Sequence, residues 1–133
     1  MTELKFDLND FKMDKAAIKA GVWIDMGGGA RFKLASFDSP EFTDAFRKAT
    51  KPYTDLSKEV PEKDQETIMC RTMATHILLD WENVFDGDEP LPYSTEEAFR
   101  VLLELERVRT RVITEAQKLD NFKAAAREAT EGN

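Results

Sequence analysis

The longest regular pattern in this sequence is an apolar stripe toward its C-terminal end, and it commits the chain to a helical scaffold. Ala98, Leu102, Leu105, Val108, Val112, Ala116 and Leu119 step by three or four residues, which places them on one face of a helix. Phe99, Leu103 and Ile113 widen that face, so the helix is expected to touch more than one neighbour. Ser94-Thr95-Glu96-Glu97 reads as its capping box, with a hydroxyl at the cap and a carboxylate three residues on.

Two shorter helices are expected upstream. Ser39-Pro40-Glu41 opens the first, with Pro at the first helical position, and Phe42, Ala45, Phe46 and Ala49 form its stripe. Lys51-Pro52 is expected to end it, because the residue before proline is pushed out of the α region. The second is read from Pro61 to about Val84, with Ile68 or Met69, then Met73, Ile77, Trp81 and Val84 in line. The segment Phe85–Tyr93 carries one Gly and two Pro and is a loop on that count. Before these helices, Val22-Trp23-Ile24-Asp25 and Ala30-Arg31-Phe32-Lys33-Leu34-Ala35 are strand-like runs around Met26-Gly27-Gly28-Gly29, a β-hairpin that needs a packing partner. The expected fold is mainly α: one small helical domain over residues 1–133 with an N-terminal β-hairpin, and with 1–19 and 121–133 as loose ends.

Composition narrows the function. A chain of 133 residues is one domain's worth, and 26 acidic against 19 basic side chains leave a net charge of −7. That balance speaks against a nucleic-acid or anionic-membrane surface as partner. A single Cys excludes an internal disulfide framework. No window approaches the roughly 18 apolar residues of a membrane span, and the charged start has no signal-peptide core. A soluble protein of the cytoplasm is the expectation.

No catalytic equipment is visible, and no enzyme is expected. The glycine run lacks the Gly-Lys-Ser/Thr step into a helix that a phosphate loop requires. Counted from Asp86 as a calcium loop, Asp88 and Glu97 fall on ligand positions, but Pro90 and Leu91 occupy places that need an oxygen and a Gly. His76 is the sole histidine, and Cys70 lies six residues away, about 240° around a helix, which argues against a dyad. Carboxylate pairs such as Glu104 and Glu106 belong to solvated faces, and Arg100, Arg107, Arg109 and Arg111 alternate with acids as in an ion-paired surface or a protein interface. Neither a cofactor nor a metal is implied. The aromatic residues Trp81, Phe85 and Tyr93, with Leu91, surround the proline-stiffened loop. They either pack a corner between elements or anchor a partner chain.

The run from His76 to Ala98 resembles the tail assembly chaperones of long-tailed bacteriophages. It carries a helix ending in Trp81, an acidic Asp86-Gly87 turn, the step Pro92-Tyr93-Ser94, and a helix with Ala98 near its start. Upstream, the hairpin with Phe32-Lys33-Leu34 and the helix with Phe42 and Phe46 follow the same order, so the likeness covers about residues 20–125. The resemblance implies a late, non-virion protein of the host cell cytoplasm. It would coat the tape measure protein, promote tail tube polymerisation and self-associate into a homo-oligomer. It also implies two forms related by programmed frameshift, the longer one recruiting tail tube protein, with this chain similar to the shorter. Trp81, Phe85, Leu91, Tyr93, Phe99 and Leu103 are the expected contact residues. A structural virion protein, such as a tail completion or head–tail joining subunit, is the alternative. The broad stripe and five Met residues suit an adaptable apolar surface, though the same stripe also serves to close a bundle core.

Overall fold

The computed structural model describes residues 4–123. A 3-10 turn at Leu8–Phe11 precedes α1 (Lys15–Ala20), β1 (Val22–Gly27), β2 (Ala30–Leu34), α2 (Pro40–Asp55), α3 (Glu62–His76) and β3 (Leu78–Glu82). Two short strands, β4 (Phe85–Asp86) and β5 (Glu89–Pro90), lead to α4 (Thr95–Glu104), α5 (Glu106–Gln117) and α6 (Leu119–Phe122).

The fold is therefore mixed α and β, which corrects the mainly α expectation. The hairpin is present, with Gly27 opposite Ala30 and both Gly28 and Gly29 at positive φ, as a tight two-residue turn demands. It gains a third antiparallel strand, so the sheet order is β1-β2-β3 with β2 in the centre. That strand comes from the segment expected to finish the second helix, and α3 stops at His76. The phasing explains the misreading. Leu78 and Trp81 are three residues apart yet both are buried, because the register slips between Lys33 and Leu34 and leaves Leu79 as an extra residue. A bulge of this kind breaks the alternation of a strand and reproduces the spacing of a helix.

A second correction concerns the long C-terminal helix, which breaks at Leu105 (φ −112°, ψ 88°) into α4 and α5. Neither Gly nor Pro lies at the break. In an unbroken helix the carbonyls of Leu102 and Leu103 would accept from residues four further on. Instead the Arg109 guanidinium, its side chain 16% exposed, donates to Leu102 O at 3.1 Å and Leu103 O at 3.5 Å, and meets Glu66 at 3.1 Å. A half-buried cation thus stands in for the lost backbone donors. A third difference is smaller: α2 carries Pro52 within its last turn and runs on to Asp55. Ser94 caps α4 as expected, accepting from Glu97 N at 3.0 Å, whereas the Ser39 hydroxyl donates to the Glu41 carboxylate and makes no cap bond.

The inward face of the sheet presents Val22, Phe32, Leu34, Leu78 and Trp81, and all but Val22 join a core with Phe42 of α2, Met73 and Ala74 of α3, Leu102 of α4 and Val112 of α5. The outer face is polar, with Arg31 paired to Glu82 across the strands and lying 5.0 Å from the Trp23 ring. The two segments read as loose ends meet. Asp14 N donates to Phe122 O at 2.8 Å, Met13 pairs with Lys123, and Phe122 is buried with Ala17 and Val22. Residues 1–3 and 124–133 of those segments lie outside the described residues.

Candidate protein-docking groove

Asn83 decides how the chain leaves the sheet. Its φ of 60° is left-handed, a conformation Asn tolerates, and it turns β3 sharply into β4. The hairpin tip fits against it closely: a Cβ on Gly29 would stand 2.8 Å from Asn83 Nδ2. Gly87, also at positive φ, then closes β4 onto β5, with Asp86 opposite Glu89. This short ribbon carries Phe85 outward, and the ring is 52% exposed.

A groove of about 450 Å³ opens on one side of Phe85. Met26, Ala30 and Phe32 of the hairpin form one wall, Val84 and Phe85 the second, and Arg107, Val108 and Arg111 of α5 the third. A second depression of about 400 Å³ shares Phe32, Val84, Phe85 and Val108 and extends to Leu91, Val101 and Leu105. Leu105, at the helix break, is 50% exposed. The break thus interrupts α4–α5 where an apolar side chain stands open to solvent beside the exposed Phe85. The only charged side chains on the first groove are arginines. Arg111 is held by Glu115 at 3.3 Å and by the Asp25 carbonyl at 3.4 Å, while Arg107 makes no ion pair among the described residues.

Of the six expected contact residues, Trp81, Phe85, Leu91 and Tyr93 together line a small depression of about 270 Å³, but they divide in their relation to the groove. Phe85 and Leu91 line the groove and its extension. Trp81 lies behind them in the core: it is 5% exposed, donates from Nε1 to Leu91 O at 2.7 Å, and meets Tyr93 edge-on at 5.2 Å. Tyr93 donates its hydroxyl to Leu78 O at 2.7 Å, and burial pushes its pKa up. These two rings bind the loop to the sheet and so fix Phe85 in place. Phe99 is half-buried beneath the Arg71 guanidinium, 3.7 Å from its ring, and Leu103 is half-buried against the core; neither lines the groove. Leu105 and Val108 were legible only as members of a stripe, and nothing in the residue types marked the break that exposes Leu105. Met26 carried no signal of its own, and Arg107 was marked only as one of four arginines of an ion-paired surface or a protein interface.

Nothing assembles around the sole cysteine. Cys70 is fully buried, burial pushes its thiol pKa up, and its sulfur contacts Arg109 at 3.7 Å. His76 is half-buried at the C-terminal end of α3. Among the described residues, no group of three His, Cys, Asp or Glu is placed to hold a metal ion, and no helix is long and apolar enough to cross a membrane.

Compared with known families, residues 37–133 match the YdaY prophage protein family. The chain belongs to that family. The match takes in α2 through α6, with both the third strand and the helix break, and it makes the chain a phage-derived protein. This YdaY-family chain matches no curated protein and no solved structure.

Proposed function

We propose that this prophage protein is a tail assembly chaperone, which binds the tape measure protein in the host cytoplasm and promotes tail tube polymerisation without chemistry of its own. The observation that carries the reading is the groove at Phe85. It is apolar and open, its walls come from the hairpin, the β3–β4 turn and α5, and its main exposed side chains are a Phe and a Leu. Helical partners dock their apolar stripe into grooves of this kind. A net charge of −7 keeps such a surface in solution. The phage origin of the family and the chaperone-like run from Trp81 to Ala98 agree with this role.

Co-expression with the tape measure protein encoded in the same prophage tests it. The tape measure protein is expected to stay soluble and co-purify, and Phe85→Ser or Leu105→Ser is expected to abolish the complex while the circular dichroism spectrum is unchanged. A tape measure protein that precipitates regardless refutes the chaperone reading. Recovery of this chain in purified particles would instead assign it to the structural virion proteins.

A further inference from the structure

The N-terminal arm carries an apolar surface that the described residues leave largely uncovered. Leu4, Phe6 and Leu8 are 102%, 78% and 73% exposed, and Phe11 is half-exposed and stacked on Phe6 at 4.8 Å. Single apolar residues are ordinary on a surface, but four large ones within eight residues form a patch that water disfavours. Its charged neighbours are also unmatched: none of Lys5, Asp7, Asp10 and Lys12 makes an ion pair among the described residues.

The described chain stops beside this patch. Asp14 N donates to Phe122 O, and Met13 pairs with Lys123 in the antiparallel sense. Lys123 is itself extended, at φ −68° and ψ 142°. A segment that continues past Met13 in this sense meets Lys12 and then Phe11, and so runs away from α1. Ten residues follow in the sequence, Ala124 to Asn133. At about 3.4 Å per extended residue they reach roughly 34 Å, and the eight residues of the arm span no more than roughly 27 Å.

We infer that residues 124–133 lie along the N-terminal arm, Leu4–Phe11, and cover its apolar patch. Composition fits this occupant to the surface. Ala124, Ala125 and Ala126 come first, and their small side chains let the backbone lie close against Phe11 and the Phe6 ring stacked on it. In the register that pairs Met13 with Lys123, Arg127 then falls level with Asn9, between Asp7 and Asp10. Asp7 caps the 3-10 turn, accepting from Asn9 N at 3.0 Å, whereas Asp10 is exposed, so Asp10 is the carboxylate that Arg127 meets. The 3-10 turn at Leu8–Phe11 ends any backbone ladder at Lys12, and beyond it the contact is made by side chains. The cover needs neither a client nor a second copy, and the chaperone reading stands or falls without it.

Cross-linking in the full-length protein tests it. Arg127→Cys is combined with either Asp10→Cys or Lys15→Cys, and intramolecular disulfide formation is timed by mass spectrometry at low protein concentration. Asp10 lies three residues before Met13 and Lys15 two residues after it, and both are exposed. An undocked tail has a similar effective concentration near each and links to them at similar rates, whereas a tail on the arm is expected to link to position 10 about tenfold faster than to position 15. Cys70 is fully buried and stays out of the exchange. Separately, Ala125→Glu with Ala126→Glu is expected to raise the binding of a hydrophobic fluorescent dye severalfold, as the two phenyl rings lose their cover, with the dichroism spectrum unchanged. Equal rates, faster linking at position 15, a link formed between molecules rather than within one, or dye binding indifferent to the alanine substitutions would each overturn the inference.

Discussion

Arg109→Met tests whether the helix break at Leu105 is held by its side chain. Methionine keeps an apolar stem of similar reach and removes every donor. The Leu102 carbonyl, in a fully buried residue, loses its 3.1 Å bond, and a hydrogen bond involving a charged group is worth about 1.5–3 kcal/mol. The 3.5 Å contact to Leu103 adds little. Glu66 is 48% exposed on its side chain, so its pairing with Arg109 contributes at most about 1 kcal/mol. The expected loss is about 3 kcal/mol, or about 10 °C in melting temperature for a domain of this size. Urea unfolding followed by the fluorescence of buried Trp81, with far-UV dichroism on the same samples, measures both stability and helix content. A loss under 1 kcal/mol with unchanged helix content would show that the break needs no such cap. A small loss with more helix would show that α4 and α5 join when the arginine is gone, and that Arg109 imposes the break. Either result refutes the argument that it stabilises a break set by the rest of the fold.

Two further predictions rest on single residues. Gly21 holds φ +87° after α1, and an added Cβ would stand 3.1 Å from both Leu34 O and Leu79 Cδ1, so Gly21→Ala is expected to cost about 2 kcal/mol in urea unfolding. Burial raises the pKa of Glu115, but bonds from Lys118, Asn121 and Arg111 outweigh it, and the folded-state value ends below the ordinary 4.5. A lowered value makes the charged form stabilising. That contribution is complete above the unfolded-state pKa and disappears as pH falls below 4.5 through the folded value, so Glu115→Gln is expected to flatten the stability profile over that window.

The parts of the fold written in local chemistry were legible. Three consecutive glycines between strand-like runs define the β1–β2 turn, and Ser94 followed by Glu97 marks the start of α4. The parts set by tertiary contact were not. Residues Ile77 to Val84 satisfy a helical period only because Leu79 bulges, and that bulge exists only against β2. The break at Leu105 is bridged by a guanidinium from the following turn, which also meets Glu66 of α3, 43 residues before it. The docking groove inherits both limits: Phe85 was visible as an aromatic beside a turn, but its neighbours Leu105 and Val108 become a surface only once the helix breaks beside the new strand.

The meeting of Met13 and Asp14 with Phe122 and Lys123 has a consequence for the order in which the molecule comes apart. It joins positions more than a hundred residues apart through one bridge, one short hydrogen bond and one buried ring. Contacts that close so long a loop form late in folding and open first. Native-state hydrogen exchange should therefore find the amides of Asp14 and Gly21 exchanging well before those of β2, by an opening that leaves the main core closed. The protein behaves as a stable body with a latch, and each time the latch lifts, the segments around Met13 and Phe122 are released together.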